Sequence, residues 1–99
     1  MNFPAAEEAT ITLEQEQDTI TDTNAGAKVI LFNDEVHSFD QVIIQLIKAI
    51  HCTHKVADEM AMTVHTAGKC DVYHGAVEDC LNVSAILEEI ELKTEIEFS

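Results

Sequence analysis

The chain predicts a small α+β domain of order β-α-α-β-α-β, with three helices packed on one face of a three-stranded antiparallel sheet. Three observations carry that reading. The apolar run Val29-Ile30-Leu31-Phe32 stops abruptly at the polar trio Asn33-Asp34-Glu35. Three later stretches repeat apolar residues at helical spacing, and the last stretch alternates apolar with charged residues. Each strand then has one helix stripe to cover it, which makes helices on one face the economical packing.

The apolar run is the first strand. Ser38 follows as an N-cap, and Gln41 three residues on completes a capping box. Phe39, Ile43, Leu46 with Ile47, and Ile50 place a helix from Phe39 and bury one side of it. Thr53 caps a second helix with apolar positions at Val56, Ala57, Met60, Ala61 and Val64, and Gly68 ends it. Cys70 to His74 suit a strand, and Gly75 breaks the chain. Ala76, Cys80, Val83, Leu87 and Ile90 form the stripe of a third helix, with Glu78, Asp79, Glu88 and Glu89 outside. Leu92, Thr94, Ile96 and Phe98 alternate with Lys93, Glu95 and Glu97 as a half-buried strand whose charges mark the exposed face of the sheet.

Composition narrows the classes of function. The 99 residues allow one small domain, and 46% are hydrophobic, enough for a packed core. Residues 1–25 hold six acids and no base, with few and scattered apolar residues, and they predict a disordered acidic extension before a core domain at 26–99. The core carries thirteen acids against five lysines, and arginine is absent, for a net charge of −14 overall. Such a surface repels phosphate, so nucleic acid and anionic membrane are excluded as partners, whereas cationic peptide or protein is favoured. No secretory leader or membrane-length apolar run is visible, and the expectation is a cytoplasmic protein. Cys52, Cys70 and Cys80 read as small hydrophobes of a reducing compartment.

Two chemical classes are tested and set aside. The His51-Cys52-Thr53-His54 cluster has no standard zinc spacing, so no metal or other cofactor is expected. No cysteine has an activating partner nearby, and no glycine-rich phosphate loop occurs, so the chain does not read as an enzyme. Two polar sites remain. They are the Asn33-Asp34-Glu35 trio at a strand end and Val64-His65-Thr66-Ala67-Gly68-Lys69 at a helix end, where the dipole favours a donor imidazole.

Taken together, the Lys28-Val29-Ile30-Leu31 strand, Asn33-Asp34-Glu35, Val42, Val64-His65-x-x-Gly68-Lys69, Val72-Tyr73-His74-Gly75, Glu78 and Leu92 resemble the Clp protease adaptor family, ClpS, over residues 27 to 98. The resemblance implies an adaptor that captures proteins with a bulky hydrophobic first residue, the N-degron. It would hand them to a ClpA- or ClpC-type unfoldase. It further implies that Asn33, Asp34 and His65 receive the substrate α-amine. Phe39, Val42, Ala61, Val64 and Leu92 would form the side-chain pocket, and Glu78 would dock the N-terminal domain of the unfoldase. Phe39 stands where the family has a gatekeeping methionine, Ser38 where it has proline, Ala61 where many members have a further methionine, and Val83 where better-known members have lysine. Those exchanges keep the amine site and bear on side-chain preference and unfoldase choice. The alternative is a family member that has lost N-terminal selectivity and modulates the substrate choice of the unfoldase by docking to it.

Overall fold

The computed structural model describes residues 26–99. The acidic extension expected over 1–25 lies outside the described residues. The elements are β1 (Ala27–Phe32), α1 (Phe39–Ile50), α2 (His54–Ala67), β2 (Lys69–Gly75), α3 (Val77–Leu87), a short 3-10 turn (Glu88–Ile90) and β3 (Thr94–Phe98). β1 lies at the centre of the sheet, antiparallel to β2 on one side and to β3 on the other. The order β-α-α-β-α-β and the three-stranded antiparallel sheet are those the sequence predicts.

The continuous apolar run suits the central strand, because Ile30 on the outer face is buried as well as Val29 and Leu31. Val29 and Leu31 face the helices and are fully buried, while Ile30 is buried outside that core cluster. Opposite them, Val29 pairs with Tyr73 and Ile30 with Asp71, which leaves Val72 as one extra residue on β2. Val72 is buried in the core, so the bulge serves to turn one more apolar side chain inward. On the outer face Lys28 bridges Asp71 at 3.1 Å and Glu97 at 3.3 Å. Exposed pairs of this kind contribute little, because water screens them.

Both expected caps form. Ser38 Oγ accepts from the Gln41 N–H at 3.2 Å, and Gln41 Oε1 accepts in return from the Ser38 N–H at 2.8 Å. Thr53 Oγ1 accepts from the Val56 N–H at 3.2 Å, and Gly68 closes α2 in the left-handed region at φ 90°. Leu31, Leu46, Leu87, Val29 and Cys80 are the largest fully buried side chains, and the core lies between the sheet and the helices.

The structure departs from the sequence reading in three places. The third stripe was expected as one helix to Ile90, but α3 ends at Leu87 and tightens into the 3-10 turn, with Glu91 left-handed at φ 68°. No glycine is available there to end the helix, so its last carbonyls find other donors. The buried Gln45 amide of α1 supplies one, donating to the Ile86 carbonyl at 2.6 Å. The buried stripe of α2 narrows to Ala57, Ala61 and Val64, with Val56 exposed and Met60 only partly covered. Phe98 sits opposite Ala27 at the end of β3 and is 68% exposed, so the half-buried alternation fails at its last residue.

The burial pattern predicts unequal costs along α1. Leu46→Ala, at a fully buried position, is expected to lower the unfolding free energy by about 2–5 kcal/mol. Ile44→Ala, at a position 64% exposed, is expected to change it by no more than about 0.5 kcal/mol. Urea denaturation of both variants checks this, and comparable losses would contradict the assigned helix face.

Candidate functional site

The site begins where β1 ends. The N–H of Phe32 donates to the Lys93 carbonyl at 3.0 Å, and that of Asn33 to the Gly68 carbonyl at 2.9 Å. The second bond ties the loop after β1 to the C-terminal end of α2, and so brings Asn33 alongside His65. The capping box then starts α1 at Phe39 without a longer excursion. Three chain segments therefore meet in one corner: the loop 33–38, the first turn of α1 and the last two turns of α2.

Between them lies a cavity of about 530 Å³ lined by Asn33, Asp34, Glu35, His37, Phe39, Val42, Ala61, Val64 and His65. Its chemistry is divided. Phe39 and Val42 of α1 face Ala61 and Val64 of α2 and supply an apolar wall, while the loop and His65 supply a polar rim. Ala61 is the smallest side chain in the wall, and space not filled there is space for a guest.

The loop carries its own internal bonding. Asp34 Oδ1 accepts from the N–H groups of Val36 and His37, each at 2.9 Å, and Oδ2 meets His37 Nδ1 at 2.7 Å. The other ring nitrogen, His37 Nε2, meets the Ile90 carbonyl at the end of the 3-10 turn. Partial burial pushes the Asp34 carboxyl upward, but the His37 N–H, the His37 ring and the Val36 N–H outweigh it and hold the carboxyl below its ordinary value. The bond to Asp34 pushes the His37 ring above its ordinary value, and the bond to Ile90 adds to this against a smaller effect of burial. Asp34 is thus an ionised carboxylate with one oxygen fully used and one partly free. The cavity can offer a cation that remaining lone pair, the Asn33 amide oxygen and a neutral imidazole nitrogen of His65.

Seven of the eight residues named from the sequence for the amine site and side-chain pocket line this one cavity. Leu92 does not; it is 3% exposed and belongs to the core just before β3. Glu78 lies apart from it, exposed in the first turn of α3. Glu35 and His37 line the cavity without a role in the sequence reading. The Asp34-x-x-His37 spacing is a local signal for the second, because a turn at an Asx residue brings positions i and i+3 together. The contact with Ile90, 53 residues on, leaves no local trace. Among the described residues no cluster of His, Cys, Asp and Glu could hold a metal ion, and no helix is long and apolar enough to cross a membrane.

With that geometry in place, three comparisons bear on the chain. The family model described as ATP-dependent Clp protease adaptor protein ClpS matches residues 22–95. E3 ubiquitin-protein ligase UBR2 of Mus musculus is 35% identical over 82 residues, which is 78% of this chain and 5% of that protein. UBR2 of Homo sapiens is 41% identical over 58 residues, 59% of this chain and 3% of that protein. The chain therefore spans only a small fraction of the length of these curated relatives. Among solved structures, Agrobacterium tumefaciens ClpS2 bound to L-phenylalaninamide superposes with a TM-score of 0.66 at 18% identity, covering 76% of this chain and 98% of that one. At that identity it is the fold that the two share.

The Asp34–His37 pair predicts a pH window for stability. The lowered Asp34 pKa contributes stability that is complete above the unfolded value, about 3.9, and is lost as pH falls through the folded one. The raised His37 pKa contributes stability that is complete below the unfolded value, about 6.5, and is lost as pH rises through the folded one. Urea denaturation across pH is expected to show the stability difference between wild type and Asp34→Asn at its largest between those values. A difference of the same size inside and outside that window would contradict the pair.

Proposed function

The chain belongs to the ATP-dependent Clp protease adaptor family ClpS, and from that premise we propose that its cavity captures the first residue of a protein substrate. The observation that carries the reading is the divided cavity, with acceptors for a cation on one rim and an apolar wall beside them. A free α-amino group has a pKa of about 7.7–8.0 and is mostly cationic at neutral pH, with three donors to satisfy. Asn33, the free side of Asp34 and His65 are the acceptors assigned to the amine, with the Glu35 carboxylate also on the rim, and the adjoining wall of Phe39, Val42, Ala61 and Val64 receives the side chain. Burying a bulky apolar side chain there contributes about 1.5–3 kcal/mol, and each bond from the ammonium about as much again before ordering costs. The net charge of −14 steers a cationic terminus toward the domain. The role is capture rather than catalysis. The solved ClpS2 of like fold is bound to L-phenylalaninamide, a free amine next to a bulky apolar side chain, and this supports the same class of ligand here.

Hand-over is the second half of the proposal. In the family reading, Glu78 docks a ClpA- or ClpC-type unfoldase, and the acidic residues 1–25 assist delivery. A second reading is favoured by the curated relatives, which are E3 ubiquitin ligases. In it the same capture domain serves a ubiquitin-transfer machine, and the cavity keeps its role.

A series of short peptides differing only in their first residue tests capture. Leu- and Phe-initiated peptides are expected to bind, and acetylating their α-amine is expected to cost about 1.5–3 kcal/mol, because donors vanish while the acceptors covered by the peptide are left unpaired. Phe39→Ala is expected to reorder the preference among Leu, Phe, Ile and Val, and Glu78→Lys to leave every affinity unchanged. Equal affinity for free and acetylated peptides would overturn the proposal.

A further inference from the structure

We propose that His37 is a positioning residue for amine capture: as an imidazolium held between the Asp34 carboxylate and the Ile90 carbonyl, it fixes the amine-binding loop to the end of the third helical segment, so that capture weakens when the ring loses its proton. The inference rests on the capture reading of the cavity.

Both partners of the ring are acceptors only, a carboxylate at Nδ1 and a backbone carbonyl at Nε2. A neutral imidazole has one N–H and one lone pair, so it can satisfy only one of them and must turn the lone pair toward the other. An imidazolium satisfies both. The side chain is 11% exposed, which leaves water little room to make up the missing bond. Deprotonation therefore either frees the loop from Ile90 or sets a lone pair against the Asp34 carboxylate. In the first case the Asp34–His37 pair is no longer anchored to Ile90, and in the second Asp34 loses its bond to the ring, so either way the loop carrying Asp34 is held less firmly beside the cavity.

The surroundings of the ring keep the proton in place. Asp34 acts on it from the same loop, and Glu91 acts from the segment after the 3-10 turn. Glu35 and His65 line the same cavity. The ring therefore holds its proton to a higher pH than an ordinary histidine and loses it as pH rises through the raised folded value.

Two measurements test this. The first is the nitrogen chemical shifts of the His37 ring in the wild-type protein, which need no variant and no ligand. At pH 6 both nitrogens are expected to be protonated, and a neutral ring at that pH overturns the proposal. The second is the affinity of a Phe-initiated peptide for wild type and His37→Gln across pH 5.5–9. The peptide amine titrates in both experiments, so its own protonation divides out of the ratio of affinities. That ratio is expected to be about tenfold or more at the acidic end, the scale of one charge-assisted hydrogen bond, and to fall toward one as the ring deprotonates. Peptide binding with a ratio independent of pH overturns the role of His37 alone. Absence of peptide binding to either protein at every pH overturns the capture reading as well.

Discussion

The cavity depends on a single backbone bond, the Asn33 N–H donating to the Gly68 carbonyl. It fixes the end of the central strand to the end of α2, two points far apart in sequence. Because Gly68 lies in the left-handed region, α2 stops there, and the next residue already begins β2 beside β1. The helix end carrying His65 and the strand end carrying Asn33 and Asp34 are thereby placed together by backbone alone. Side chains then specialise the corner without having to assemble it.

The bonding within the loop changes how the acidic residues of this chain are to be understood. Asp34 is first a structural group, since Oδ1 is occupied by the Val36 and His37 N–H groups and Oδ2 is partly occupied by the His37 ring. An ionised Asp34 beside a protonated His37 is nearly neutral as a unit. Attraction for a cationic terminus then comes from the wider field of the domain, while the corner supplies aimed acceptors. On the proposed reading, separating field from geometry in this way would keep the site from becoming a generic cation trap and leave the apolar wall to discriminate among first residues.

Much of the fold was legible because its signals are local. The capping box of Ser38 and Gln41, the Thr53 cap and the Gly68 terminator each act within a few residues, and each appears where the sequence puts it. The central position of β1 was legible from its unbroken apolar run. What escaped depends on long-range partners. The end of α3 is set in part by Gln45 reaching the Ile86 carbonyl from another helix, and Phe98 is exposed at the end of β3 despite its place in the alternation. In the site, Asn33, Asp34 and His65 and the residues Phe39, Val42, Ala61 and Val64 were named from resemblance and line one cavity. Leu92 went to the core instead, and His37 was missed because its second partner lies in the 3-10 turn.

The most direct test of the account is to map a bound ligand on the isotopically labelled protein by NMR. Titration with L-phenylalaninamide, a free amine with one bulky side chain, is predicted to shift the resonances of Asn33, Asp34, Val42, Ala61, Val64 and His65 along one saturable curve. Lys28 and Glu95 on the outer sheet face, and Glu78 on α3, are predicted to stay in place. Shifts centred on the sheet face or on α3, or no saturable shift in the corner, would contradict capture at this cavity.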